Sequence, residues 1–243
     1  MRSPSESVSA QRPGSVQEMF RDIAPRYDLA NTVLSLGIHH RWKNQLIRWS
    51  GATAGDSVLD CASGTGDLAF GFEQVVGRQG KVLGTDFCEP MLEIARVKAA
   101  NRRSIARFEL ADVMRLPYAD SEFSVASISF GIRNVSDPVQ GLRELGRVVR
   151  PGGRVMVLEF GQPRGTILRL LYRFYSAQVL PRIGGWISGQ RKAYRYLESS
   201  SRTFPCGEKF LDLAREAGFV GELRYAPLFW GIAYLYQLQK SAD

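Results

Sequence analysis

Asp60, Gly64, Gly66, Asp67 and Asp86 set the chemical question for this chain. The stretch Val58-Leu59-Asp60-Cys61-Ala62-Ser63-Gly64-Thr65-Gly66-Asp67 carries an apolar strand into a glycine turn and on into a helix. A second apolar run, Lys81-Val82-Leu83-Gly84-Thr85-Asp86, ends in a carboxylate twenty residues after Gly66. Strand, glycine turn, helix and a second strand closing on an acid describe a site for a nucleotide-type cofactor.

Two cofactor classes fit the glycines. Gly64, Gly66 and Ala69 satisfy the dinucleotide pattern G-x-G-x-x-G/A, with Asp86 placed to hold a ribose hydroxyl. The acids separate the classes. A pyrophosphate seeks bare N–H groups and positive potential at a helix N-terminus, whereas Asp60 at the strand end and Asp67 in the first helical turn repel it. They suit a cationic ligand without phosphate, and S-adenosylmethionine, with its sulfonium and ammonium groups, is one. A plain N-cap role accounts for Asp67 but leaves Asp60 and Asp86 unexplained.

The elements that must position these groups follow from hydrophobic periodicity. Val16, Met19, Phe20 and Ile23 fall at helical spacing, as do Trp42, Leu46, Ile47 and Trp49, so two helical pieces precede the first strand. Strands are predicted at Ser57–Cys61, Lys81–Phe87, Arg107–Ala111, Phe123–Phe130 and Gly153–Phe160, with helices at Asp67–Val76, Glu89–Ala100 and Pro138–Val149 between them. These near-continuous apolar strands suit a parallel sheet covered on both faces. The alternation breaks for some forty residues after Pro163. It resumes with a helix at Glu208–Ala217 and two β-runs, Glu222–Leu228 and Ile232–Gln239, whose short connection predicts a hairpin and an antiparallel edge strand. The strand ends then carry Asp60, Asp86, Asp112, Ser129 and Glu159 along the side of a doubly wound sheet where ligands bind. Asp86 is placed for the ribose hydroxyls and Asp112, beside Val113, for an adenine amino group. Asp112 as a simple turn residue is the competing role.

Composition narrows the class. With 243 residues the chain fits one well-buried α/β domain. The net charge of +8 favours anionic partners, nucleic acid or a membrane surface among them. Three scattered cysteines, Cys61, Cys88 and Cys206, form no zinc pattern and no disulfide framework, and no metal is expected. There is no signal-peptide pattern and no apolar stretch long enough to span a bilayer, so a cytoplasmic enzyme, at most peripheral to the membrane, is expected. Residues 1–15 are rich in Ser, Pro and Gly and are expected to be a disordered tail.

The glycine loop, its acids and Arg147-Val148-Val149-Arg150-Pro151-Gly152-Gly153 resemble class I S-adenosylmethionine methyltransferases. The run from Tyr27-Asp28-Leu29 to His40-Arg41-Trp42 resembles, more specifically, the quinone-ring C-methyltransferases of menaquinone and ubiquinone biosynthesis. Ser129-Phe130-Gly131-Ile132-Arg133-Asn134-Val135 and Tyr194-Arg195-Tyr196-Leu197-Glu198-Ser199-Ser200 extend the resemblance, which covers about Val16 to Lys240. Ala30 stands where that family usually has Met. The resemblance implies a Rossmann-like, doubly wound, seven-stranded sheet with an antiparallel last strand in a single domain over residues 16–243. Residues 16–50 form its substrate-side helices and residues 163–200 an amphipathic cap insertion. It implies cofactor contacts at Thr65, Asp86, Asp112 with Val113, and Ser129, beside the loop residues Asp60, Gly64 and Gly66. It further implies C-methylation of a membrane-resident polyprenylated quinol ring, demethylmenaquinol first, with a benzoquinol of ubiquinone biosynthesis as the alternative. Oligomeric state is left open.

Methyl transfer to ring carbon needs an electron-rich ring, which a quinol supplies as its phenolic proton leaves. A phenol titrates near pH ~10, so a base or a donor to the phenolate is required. Arg133 and Asn134 are expected to orient the quinol through a bound water, with Arg133 stabilising the phenolate and His39 as the second candidate base. The structural alternatives are an ion pair of Arg133 with Asp137 or Glu144, and a buried structural role for His39. Ile167, Leu168, Leu170, Leu171, Phe174 and Tyr175, set among Arg164, Arg169, Arg173 and Arg182, read as a basic amphipathic helix suited to a membrane surface or to closing the site. A nucleic-acid methyltransferase, the rival favoured by charge alone, lacks both an appended RNA-binding module and an amino-methylating Asn/Asp-Pro-Pro-Tyr/Phe motif, so no nucleic-acid partner is expected. A non-catalytic cofactor-binding module is disfavoured by the intact loop and acids.

Overall fold

The computed structural model describes residues 13–163, 165–179, 182 and 190–242. Seven strands form one sheet: β1 Ser57–Cys61, β2 Lys81–Asp86, β3 Arg107–Leu110, β4 Phe123–Ser129, β5 Val149–Phe160, β6 Leu223–Leu228 and β7 Ala233–Gln239. Their order is β3-β2-β1-β4-β5-β7-β6, with β1 to β5 parallel and β7 antiparallel to both its neighbours. The order reverses between β1 and β4, and the glycine turn leaves β1 at that switch point.

The expected hairpin is formed by β6 and β7, and of the two β6 takes the edge. β7 is buried along six of its seven residues and sits inside the sheet, whereas β6 is mostly half-buried or exposed and carries Pro227. A strand buried on both faces must be flanked on both sides, and proline is tolerated where no further ladder bond is needed. β5 is longer than predicted because it starts at Val149, which pairs with Phe123, and takes up the β4 ladder again at Arg154 after an irregularity.

Helices α3 Ile38–Ser50, α4 Asp67–Val76 and α5 Glu89–Arg102 cover one face through Leu46, Phe72 and Leu92. Helices α6 Pro138–Val148 and α9 Glu208–Glu216 cover the other through Leu142, Leu145 and Phe210. A third cluster forms a cap over the carboxyl ends of the strands. It joins α1 Pro13–Ile23 and α2 Tyr27–Leu34 to the start of α5 and to α8 Arg191–Thr203, through Ile23, Ala30, Met91 and Ala193. Residues 16–50 thus form three helices where two were expected, because Pro25 and Gly37 interrupt the pattern. Helix α1 begins inside the stretch expected as tail, and the rest of that tail, residues 1–12, lies outside the described residues. The expected amphipathic segment appears as α7 Thr166–Phe174 followed by a π-helical turn at Tyr175–Val179, while Arg164 lies outside the described residues. Among the described residues no helix is long and apolar enough to cross a membrane. Cys61, Cys88 and Cys206 are free thiols.

Candidate active site

The loop after β1 is built by two left-handed glycines. Gly64 has φ +55° and Gly66 φ +89°. A Cβ on Gly66 would lie 2.7 Å from the Phe108 ring and 2.9 Å from Phe70, so only glycine fits there. Asp86 braces the turn from the end of β2, accepting the Gly64 N–H at 2.8 Å and the Cys88 N–H at 2.9 Å. Burial nevertheless lifts the Asp86 carboxyl to about 6 against the pull of those donors. Asp60 is buried at the end of β1. Its Oδ1 accepts the Ser127 hydroxyl at 2.8 Å, its Oδ2 has no partner, and burial raises it to about 7. A buried carboxylate one cation short is costly, and a bound cation relieves that cost. This is the feature of the structure that fits the sulfonium-bearing cofactor.

Asp67 plays a different part from the one its position suggested. Gly66 occupies the N-cap of α4, and the Asp67 carboxylate lies 3.4 Å from Lys43 Nζ and 3.4 Å from Lys98 Nζ. Burial works in the opposite direction, but the two lysines hold Asp67 below the usual carboxylate range. Lys98 also meets Asp28 at 2.5 Å, and the Thr65 hydroxyl donates to Asp28 at 2.5 Å. Two acids and two lysines therefore clip α2 to the glycine loop with no net charge. Among the described residues beside the loop, Asp60 and Asp86 are the acids that no cation pairs.

A cavity of about 600 Å³ opens beside this loop, within the usual range for a small-molecule site. Asp60, Gly64, Thr65, Ser129, Arg133 and His39 line it, while Gly66, Asp86, Asp112, Val113 and Asn134 lie outside its lining. Trp42, Phe130 and Phe160 form an aromatic wall, with the Phe130 and Phe160 rings 4.4 Å apart and Trp42 6.3 Å from Phe130. Four lining residues carry a buried polar atom without a partner: Asp60 Oδ2, Ser63 Oγ, Ser129 Oγ and Arg133 Nε. Buried polar atoms are rarely left unpaired, and four along one cavity wall mark where a ligand's polar groups belong.

Arg133 pairs with neither Asp137 nor Glu144. Its Nη1 donates to Glu159 Oε1 at 2.7 Å and to the Phe130 carbonyl at 2.6 Å, with both charged side chains buried and the guanidinium over the Phe160 ring at 5.5 Å. Asp137 instead caps α6, and Glu144 holds Arg147. Asn134 reaches the cavity only through Tyr196, whose hydroxyl donates to Asn134 Oδ1 at 3.1 Å. Asp112 accepts the Met114 N–H at 2.9 Å in an exposed turn, and Val113 is half-buried beside it.

His39 is buried. The Ser35 hydroxyl lies 2.6 Å from both the Asn31 carbonyl and His39 Nδ1. A carbonyl only accepts, so the single hydroxyl proton goes to Asn31 and Nδ1–H donates to Ser35. That tautomer leaves the Nε2 lone pair free. Burial, helped by Lys43 and His40, lowers His39 to about 4, so the ring is neutral at physiological pH. His39, His40 and Asp67 offer ligand atoms within 4.8 Å of one another, but Lys43 and Lys98 already neutralise Asp67.

Asp28, Lys43, Lys98, Tyr196 and Glu159 gain their parts in the site only through the fold. Asp28 and Tyr196 lie inside the stretches that carry the family resemblance, but nothing in the order of residues says that α2 meets the glycine loop or that α8 meets the turn after β4. Glu159 stands at a strand end, where its acid was visible and its partner was not.

A family model described as the ubiE/COQ5 methyltransferase family matches residues 6–240. The chain is 55% identical over 231 residues to a ubiquinone/menaquinone biosynthesis C-methyltransferase of Bdellovibrio bacteriovorus, covering 95% of this chain and 98% of the relative. It is 43% identical over 222 residues to a demethylmenaquinone methyltransferase of Deinococcus radiodurans, covering 91% of each. Among solved structures it resembles a SAM-dependent methyltransferase of Thermotoga maritima, described as a possible histamine N-methyltransferase, with a TM-score of 0.64 at 20% identity over 92% of this chain and 99% of that one. It also resembles a SAM-dependent methyltransferase of Aquifex aeolicus, with a TM-score of 0.58 at 16% identity over 81% of this chain and 88% of that one. At such identities these two structures speak for the fold alone.

Proposed function

The chain belongs to the ubiE/COQ5 methyltransferase family, and from that premise we propose how its residues divide the work of methylating a polyprenyl quinol, demethylmenaquinol first. It is an S-adenosylmethionine-dependent C-methyltransferase of class I fold. When bound, S-adenosylmethionine supplies an electrophilic methyl group on a sulfonium. Asp60 Oδ2, Gly64 and Thr65 form the end of the cleft that takes the cofactor's charged portion, and Ser129 closes it from β4. Asp86 serves first as the brace of the loop, through the Gly64 N–H, and then as the ribose acceptor. Asp112 and Val113, beyond the cavity on the β3 side, are assigned to the adenine edge.

The acceptor end is the aromatic wall with Arg133 in it. The reaction is an in-line displacement, so most of the enzyme's contribution is alignment in a dry site. Arg133 keeps its proton, and its free Nε–H points the assignment of phenolate stabilisation to it. His39 Nε2, neutral and unprotonated, accepts the phenolic hydrogen bond. Its low basicity suits positioning the hydroxyl, and a water held at Arg133 relays the phenolic proton to solvent while the guanidinium stabilises the phenolate left behind. Asn134 sets the Tyr196 hydroxyl at the cavity edge. The benzoquinol alternative presents the same reacting ring without the fused second one.

The observation that carries this reading is the row of four unpartnered buried polar atoms along one aromatic-walled cavity. Calorimetry should show binding of S-adenosylmethionine and none of NAD, and labelled methyl should appear on a naphthoquinol in preference to a benzoquinol. Binding of NAD in place of S-adenosylmethionine would end the assignment of Asp60 to a cation.

A further inference from the structure

Eleven large apolar side chains are exposed among the described residues, and seven of them lie on three elements: α2 with its following turn, the turn between β6 and β7, and α7. Each of these elements also lines the cavity, through Val33 and Leu36, Phe229, and Tyr172 respectively. Val33, Leu36 and Phe229 both line the cavity and meet solvent, so they mark its mouth. Leu36 is 85% exposed and Trp230 65%. The Tyr175 hydroxyl, just after α7, donates to the Leu34 carbonyl at 2.8 Å and ties that segment to the end of α2. The apolar side chains therefore gather around one opening.

Leu36, Phe229 and Trp230 have φ of +50°, +44° and +55°. Bulky side chains seldom adopt this left-handed backbone, so these turns hold strain while presenting them to water. Basic residues lie on α3, which lines the cavity through His39 and Trp42, and on and after α7. Arg41 on α3, Arg169 on α7 and Arg182 beyond it are exposed and pair with no carboxylate among the described residues, in a chain of net charge +8. Exposed Trp, Phe and Leu together with arginines that meet no carboxylate match the chemistry of an anionic bilayer surface.

We propose that the cavity mouth is a bilayer-docking face, with Trp230, Leu170 and Phe174 entering the headgroup region so that a quinol passes from lipid to the aromatic wall without crossing water. This inference rests on the polyprenyl quinol reading for its purpose but not for its test.

The test uses the full chain with Trp230→Asn, Leu170→Gln and Phe174→Gln combined. None of the three lines the cavity, Asn accepts left-handed backbone, and Gln keeps helix propensity. Flotation on vesicles of phosphatidylcholine mixed with phosphatidylglycerol is read without any quinol. The unsubstituted chain should float, and the triple variant should lose about tenfold or more in vesicle affinity. Methylation of a short-tailed quinol in solution should not change. An unsubstituted chain that stays with the unbound fraction overturns the proposal, as does a variant that floats equally well. A dimer split by the substitutions, with no flotation in either protein, overturns it too and gives the face to a second copy. Failure of the unsubstituted chain to methylate any quinol would sink the substrate reading instead and leave the flotation result standing.

Discussion

The two ends of the cavity solve the problem of buried charge in opposite ways. At the loop end, Asp60 holds a carboxylate oxygen with no partner, and burial raises the group to about 7. At the aromatic end, Arg133 and Glu159 are equally buried but closed on each other at 2.7 Å. The first end is electrostatically incomplete and gains by receiving a cation. The second presents a neutral pair behind apolar rings, so it selects its ligand by shape and by the buried Arg133 Nε–H that has no partner. A protein that must bind a charged donor tightly and an almost uncharged acceptor loosely benefits from this division.

Removing the incomplete charge gives the largest expected effect. Asp60→Asn should lower S-adenosylmethionine affinity by about a hundredfold or more while raising the melting temperature of the free protein, since the unpaired buried carboxylate costs it ~2–4 kcal/mol near neutral pH. Calorimetry and thermal unfolding check both halves, and lower stability with unchanged affinity would reverse the comparison. At the other end the pattern inverts. Arg133→Ala should cut turnover by about ten- to a hundredfold with cofactor affinity unchanged, and should destabilise the fold by ~3–5 kcal/mol because Glu159 is left buried alone. The double variant Arg133→Met, Glu159→Gln recovers most of that stability and not the turnover. Recovery of both would reduce Arg133 to a structural role.

A smaller effect lies in pH. The Asp60 carboxyl moves from an ordinary 3.8 to about 7 in the folded protein, so its contribution to stability is present below about 4 and is lost as pH rises toward 7. The bound cation favours the ionised form, so cofactor affinity should rise by up to about tenfold per pH unit as pH climbs toward 7 and then level off. His39, lowered to about 4, takes no part in that window. Binding isotherms between pH 5.5 and 8.5, roughly bracketing that transition, read this directly, and Asp60→Asn should flatten the curve.

Some of this was legible in order and type alone. The strand–glycine–helix unit, the strand-end positions of Asp60 and Asp86 and the parallel core follow from local periodicity and turn chemistry, because each depends on neighbours along the chain. The antiparallel strand was legible from its hairpin, but its place inside the sheet was not. That depended on which of two runs could bury both faces. Asp67 shows the limit for the site. Its acid was visible, but Lys43 and Lys98, 24 and 31 residues away, reverse its meaning. The sequence by itself determined the cofactor class and the scaffold, since glycines and acids at fixed spacing leave few alternatives. Only the tertiary structure decided which charges are cancelled and which stand open. Coulomb energy depends on distance and burial, and chain order records neither.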